Sequence, residues 1–348
     1  MRITVMKFGG SSLAEPEKIK VMAERAVKAR AGGVGVVMAV SAPADMTDDL
    51  LALSKLITTG ADARERDVLL STGETVSAAL MAMAISGLGV KAVSLSGTQA
   101  GIRTDSVHGA ARITAVDPAR ILRELKKGRI VVAAGFQGAD KSGDITTLGR
   151  GGSDLTAVAL ARALKAGVCE LYTDVQGIYT ANPAIVPQAK KLRRISYTAM
   201  LELARSGAEV RQFQAIAYAA KYRIPLHLRS SFENGEGTRI GDFDHGGARP
   251  QVTCFSMKKT GRSAEICLIG SKLDAPGIKK TVKAAAAAGG HRLRKITCVP
   301  GKITLIAAFR DGDPLLKALH ETFIPHAPRK SRIQTADRPK SSTKHTAA

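Results

Sequence analysis

Two glycine-rich turns carry the residue types that could handle anions. Lys7-Phe8-Gly9-Gly10-Ser11-Ser12 closes the apolar run Met1–Met6, and Gly149-Arg150-Gly151-Gly152-Ser153-Asp154 follows the apolar run Ile130–Ala134 after a short loop. Each turn holds one cation and at least one hydroxyl. Glycines let backbone N–H groups approach an anion closely, and a helix leaving the turn points its positive end the same way. Two such turns in one chain imply a site that holds both a polyphosphate and a second, carboxylated substrate. Phosphoryl transfer suits them, because it asks mainly for positioning and charge neutralisation. Lys7, at a strand end beside Gly9 and Gly10, can bridge phosphates as a point charge. Asp154 can orient Lys7, or serve as a first-turn acid that the helix dipole stabilises by a few tenths to about 1 kcal/mol. Arg150 presents the planar fork that suits a carboxylate.

The elements that must position these residues follow from periodicity. From residue 1 to about 240, short apolar runs at 2–6, 34–40, 90–95, 130–134, 168–173 and 225–229 read as strands. Longer helical stretches at 15–31, 45–58, 62–86, 117–127, 153–166 and 196–222 alternate with them. That alternation predicts a mostly parallel sheet covered by helices on both faces, with ligands beyond the carboxyl ends of the strands. Residues 241–251 are polar and glycine-rich and read as a linker. A smaller domain over 252–325 follows, with strands at 252–257, 264–269, 293–299 and 302–309 and helices at 276–288 and 313–323. Residues 326–348 are basic and rich in Ser, Thr and Pro, the composition of a disordered tail.

Composition narrows the class. The chain has 348 residues, 45% of them apolar, with no tryptophan, so Ala, Val, Leu and Ile must build its cores. Cys169, Cys254, Cys267 and Cys298 sit singly in strand-like runs and read as buried free thiols. No clustered His, Cys and Glu ligand set is visible. No signal peptide and no apolar run of membrane-spanning length is recognised, and a cytoplasmic location is expected. The net charge of +22 raises nucleic-acid binding as a possibility. The cations are dispersed and lack a reading module or interleaved aromatics, so nucleic acid is not expected as a partner.

Four motifs together resemble the aspartokinase family: K-F-G-G-S-S at 7–12, S-T-G-E at 71–74, T-T-L-G-R-G-G-S-D at 146–154 and Y-T-D-V-x-G-I-Y-T at 172–180. Gly97-Thr98-Gln99-Ala100-Gly101 and Ala134-Gly135-Phe136-Gln137-Gly138 also fit, and the similarity runs in order to about Ile240. The resemblance implies the three-layer α/β/α amino-acid-kinase fold with a mostly parallel sheet, followed by a smaller α+β, ferredoxin-like, ACT-type regulatory domain; D-A-P-G at 274–277 and A-L-H-E-T-F at 318–323 match that domain. It implies transfer of the ATP γ-phosphoryl group to the side-chain carboxylate of L-aspartate, with Mg2+ carried by ATP. By resemblance, Lys7, Phe8, Gly9, Gly10, Ser41, Thr173, Asp174, Tyr179 and Asn182 face ATP, and Lys7 and Asp154 are catalytic. Thr47, Glu74, Arg150, Gly151, Gly152 and Ser153 face aspartate, with Glu74, in S-T-G-E before a helix, on its α-ammonium. A homodimer through the ACT-like domain is the implied assembly.

The departures from the family pattern fall mainly on the nucleotide side. The usual S-A-M-G reads Ser41-Ala42-Pro43-Ala44, and Y-T-x-D-P-R reads Tyr179-Thr180-Ala181-Asn182-Pro183-Ala184. Gln176 replaces an acid, Glu209 stands where the family has a nucleotide-facing lysine, with Arg211 as a substitute cation, and Gln214 and Ala217 replace an Arg and a Glu. These changes imply a raised KM for ATP. A single ACT-type unit in place of the usual two implies altered feedback. The competing reading is a catalytically weak paralogue that binds amino acid as a regulatory subunit.

Overall fold

The computed structural model describes residues 1–207, 213–243 and 249–324. The larger domain contains, in order, β1 (Ile3–Phe8), α1 (Pro16–Ala31), β2 (Gly35–Val40), α2 (Met46–Ile57), α3 (Ala63–Gly87), β3 (Ala92–Leu95), β4 (Ile102–Thr104), β5 (Ile113–Val116), α4 (Ala119–Lys126) and β6 (Ile130–Ala134). It continues through β7 (Gln137–Ala139), β8 (Ile145–Thr147), α5 (Gly152–Ala163), β9 (Val168–Thr173), β10 (Arg194–Ser196), α6 (Tyr197–Arg205), α7 (Phe213–Tyr222), β11 (Leu226–Ser230) and β12 (Thr238–Gly241).

Eight of these strands form one sheet in the order β10-β12-β11-β9-β1-β2-β6-β3, parallel except between β11 and β12. Both faces are covered, so its strands are continuously apolar rather than alternating. On one face Val5, Val37 and Val131 pack with Ala157, Leu160 and Leu171; on the other Met6, Met38 and Val132 pack with Met22, Met81 and Ile85. Successive residues of one strand therefore enter opposite cores. The chain runs outward from β1 through β2 on one side, then returns to place β9 on the other. That reversal opens a crevice at the carboxyl end of β1. A second sheet, β5-β4-β7-β8, lies at this end of the domain.

The sequence misplaced several elements. The span 196–222 is not one helix: α6 and α7 are separate, and Ser206 caps α6 at its carboxyl end. The turn at 149–154 does not follow β6 directly, because the β7–β8 hairpin intervenes. α3 is long and apolar enough to cross a membrane by composition, with a mean hydropathy of 1.6, which the sequence reading had not recognised. It is a core helix here: Ala78, Met81 and Ile85 pack against the sheet, and the same helix buries Asp67 and Glu74.

The smaller domain contains β13 (Gln251–Thr260), β14 (Ser263–Ser271), α8 (Ile278–Ala288), β15 (Lys295–Val299), β16 (Lys302–Ala308) and α9 (Gly312–Phe323). Its antiparallel sheet has the order β13-β14-β16-β15. A ferredoxin-like unit closes with a strand beside its first; here that edge is filled by β13, which precedes the unit in the chain. Ile266, Leu268, Val282, Leu305, Leu315 and Leu319 form its core, joined by Ala181 and Val186 from the larger domain.

Candidate active site

Lys7 lies in the crevice at the end of β1, in register with Ala39 of β2 and Leu171 of β9. Its ammonium is 3.0 Å from Asp154 Oδ1, and both side chains are only 8% exposed. A strand between two neighbours holds the lysine, and the first turn of α5 holds the acid. Gly151 caps that helix at φ 75°, a conformation costly for any residue with a Cβ. Gly135, just past β6, lets the helix start approach: a Cβ there would meet Ser153 Cβ at 2.8 Å and Val40 O at 2.9 Å. Gly9 keeps the ammonium clear, since its Cβ would lie 3.4 Å from Lys7 Nζ.

On the β2 side of Lys7 a cavity of about 740 Å3 is lined by Gly10, Ser41, Thr47, Glu74, Arg150, Gly151, Gly152, Ser153 and Asp154. The residues read as facing the carboxylated substrate are thus brought together on one side of the ion pair. Glu74 lies within α3 rather than before a helix, as S-T-G-E had suggested. The Ala42 N–H donates to its Oε1 at 3.0 Å, while Oε2 is buried with no hydrogen-bond partner among the described residues. Burial pushes this carboxyl up to about 7, against the pull of the Ala42 N–H, its own backbone and the Lys7 charge. Arg150 is exposed at the rim.

Gly73 makes the Glu74 contact possible, because a Cβ at 73 would stand 2.8 Å from Ala42 Cβ. Gly73→Ala would gain up to about 1 kcal/mol in helix propensity and lose about 1–3 kcal/mol to overpacking. The expected outcome is a net loss of unfolding free energy in urea titration; a gain would mean the 41–44 loop yields freely. That loop is already constrained: Ala44 sits at φ 43°, and its N–H donates to Gly10 O at 3.1 Å.

The sequence reading missed Asp67. It is fully buried beside the same cavity. It accepts from the Gly109 N–H at 2.9 and 3.1 Å, the Thr147 N–H at 2.9 Å and Thr147 Oγ1 at 2.6 Å, with His108 Nδ1 at 3.0 Å. One carboxylate therefore ties α3, the 105–110 loop and the end of β8 together. The available signal was its position seven residues before Glu74, on the same helix face, in an apolar run.

Of the residues read as facing ATP, Gly10 and Ser41 line this same cavity, while Phe8, Thr173, Asp174 and Tyr179 lie on the β9 side of Lys7. Phe8 is buried and stacks on Tyr172 with centroids 4.7 Å apart. Thr173 ends β9, and its O accepts from the Ser231 N–H at 2.7 Å. Asp174 is exposed, and Tyr179 donates to Gln176 Oε1 at 2.9 Å. Asn182 stands apart: its Oδ1 accepts from the Ala184 N–H at 3.0 Å, capping a turn whose neighbours Ala181 and Val186 enter the small domain's core. Gln214 and Ala217 lie on α7, while Glu209 and Arg211 fall outside the described residues.

A profile of the amino acid kinase family matches residues 2–230, which takes in the crevice and both turns. The chain belongs to that family. Within it, the aspartokinase of Mycolicibacterium smegmatis is 50% identical over 241 residues, covering 69% of this chain and 57% of that protein. The aspartokinase of Geobacillus stearothermophilus is 52% identical over 240 residues, covering 69% and 59%. This amino acid kinase therefore matches less than two thirds of the length of those relatives. The structure of Escherichia coli aspartokinase III in complex with aspartate and ADP aligns with a TM-score of 0.76 at 20% identity, covering 92% of this chain and 99% of that one. That likeness supports the α/β/α fold with a smaller ACT-like sheet domain.

Proposed function

We propose that this chain is an aspartate kinase, moving the γ-phosphoryl group of ATP onto the side-chain carboxylate of L-aspartate to give 4-phospho-L-aspartate and ADP. The supporting observation is the buried Lys7–Asp154 pair between a cavity holding an unpaired Glu74 oxygen and the loops that end β9 and β11. Glu74, ionised, receives the α-ammonium; Arg150 receives a carboxylate; and the Gly151 and Ser153 N–H groups at the start of α5 face the transferring phosphoryl, while the Gly152 N–H closes the turn on Gly149 O at 3.0 Å. The acceptor carboxylate is already ionised near neutral pH, so no general base is required. One of its oxygens bonds to the γ-phosphorus as the bond to the β-phosphate oxygen breaks, and Lys7 neutralises charge on the moving group. Mg2+ carried by the nucleotide would add charge neutralisation, with Asp154 the carboxylate beside Lys7 at that end.

Named relatives support the acceptor: those at about 50% identity are aspartokinases. On the same reading, the departures at Glu209, Asn182, Ala184 and Gln176 raise the KM for ATP, and the small domain gives altered, weak feedback inhibition. The test is ATP- and aspartate-dependent acyl phosphate formation, trapped as hydroxamate, over a wide ATP range. Turnover saturating only at high ATP supports the whole reading. Aspartate binding by calorimetry without turnover overturns it.

A further inference from the structure

Thr180 is where the two domains grip one another. It is 4% exposed, and all of its polar groups are engaged. Its N–H donates to Lys190 O at 2.9 Å, and its Oγ1 accepts from the Lys190 N–H at 2.9 Å, closing the 179–191 loop on itself. Its carbonyl accepts from the Phe255 N–H of β13 at 2.7 Å. Its Oγ1 is also 2.8 Å from Nε2 of His320, a fully buried residue of α9 whose ring lies 5.8 Å from that of Phe255. One threonine thus joins the edge strand and the last helix of the small domain to a single loop of the large one.

That loop has two faces. Residues 181–189 send Ala181 and Val186 into the small domain's core. Residues 173–179 leave the carboxyl end of β9, next to the Lys7 turn and opposite the Glu74 cavity. The connection between the faces is stiff: Leu192 N–H donates to Ile178 O at 2.7 Å, and Thr238 Oγ1 donates to Leu192 O at 2.6 Å and receives the Ile178 N–H at 2.9 Å. A shift of α9 relative to β13 therefore has little slack before it reaches Tyr179. The Glu74 cavity is built from α2, α3, α5 and their loops, none of which touches Thr180 through a described hydrogen bond.

We propose that Thr180 and His320 are positioning residues for the phosphoryl donor: the small domain, acting through this contact, sets the 173–179 loop and hence nucleotide affinity, and leaves the acceptor cavity alone. This rests on the reading of the chain as an aspartate kinase for the identity of the acceptor and for the place of the nucleotide beside the 173–179 loop. Thr180→Val keeps shape and removes the hydroxyl, and Thr180→Ser restores it. The expected result is a KM for ATP raised about tenfold in Thr180→Val, as for loss of one net hydrogen bond, with the aspartate KM within twofold and Thr180→Ser close to the parent. His320→Gln should show the same split. A change shared equally by both KM values, or an unchanged ATP KM in a folded variant, overturns the proposal.

The unmutated chain gives a second readout that needs no turnover. By reciprocity of coupled sites, saturating ATP alone should slow amide hydrogen exchange at Phe255 and through α9. No slowing there, with protection at 7–12 and 173–179, overturns the coupling. If the parent protects those segments but forms no hydroxamate with aspartate, the kinase reading fails and the coupling stands.

Discussion

Glu74→Gln is expected to yield a protein that is more stable at pH 8 and a much poorer enzyme. Burial raises the Glu74 carboxyl from the ordinary 4.5 to about 7, so the folded state holds its proton more tightly than the unfolded chain does. The stability penalty of ionising it is absent below pH 4.5, grows between 4.5 and about 7, and is fully present above that. Glutamine removes the penalty and can keep the acceptor for the Ala42 N–H. At about 1.4 kcal/mol per pH unit, the gain at pH 8 is on the order of 3 kcal/mol. At pH 4 it should vanish, so thermal unfolding at the two values checks the sign. Activity moves the other way. A neutral amide loses the charge-assisted contact to the substrate ammonium, about 1.5–3 kcal/mol, or roughly a ten- to hundredfold rise in the aspartate KM. The parent's aspartate affinity should fall as pH drops below about 7, and the variant's should not. A variant that is less stable at pH 8, or whose aspartate KM is unchanged, would remove Glu74 from the acceptor site.

Lys7→Ala is expected to abolish most turnover. Loss of one preorganised charge on a transferring group typically costs about 10²–10³-fold in kcat. Lys7→Arg should rescue poorly, because a planar fork does not fit where Gly9 leaves room for a compact ammonium. Lys7→Ala also strands the buried Asp154 carboxylate, at a cost of about 3–5 kcal/mol. Catalysis and stability can be separated with Lys7→Met combined with Asp154→Leu. An apolar pair should recover most of the stability and none of the activity. Hydroxamate assay and urea unfolding on the three proteins suffice; activity above a tenth of the parent in Lys7→Ala would be fatal to this role.

Much of this site was legible in the chain because its parts are local. K-F-G-G-S-S and G-R-G-G-S-D are each a strand end or helix start with its own glycines, and β1, β2, β6 and β9 announce themselves as apolar runs. Burial on both faces of the sheet makes such runs continuous, which helps. The three-residue strands β4, β7, β8 and β10 were invisible, because three residues cannot display a period. Asp67 was missed because its meaning lies in donors some forty and eighty residues away, which sequence spacing does not reveal. Asn182 was grouped with the nucleotide residues through its motif, but its side chain closes a turn at the domain junction. Thr180, its unremarked neighbour, is the better-connected residue, and only the packed small domain shows why.

β1 comes before every other strand of its sheet in the chain, yet it stands in the middle of the finished sheet. β1 can pair with β2 early, yet its other edge waits for β9, far downstream. At the usual pace of translation the wait is on the order of ten seconds. Throughout it the nascent chain carries an open backbone edge flanked by Val5, Met6 and Phe8, the kind of edge that recruits other strands. The geometry that places Lys7 at the centre of the crevice thus makes synthesis the hazardous period of this protein's life. Its yield in a cell should respond to chaperone supply and growth temperature before it responds to the stability of the completed fold.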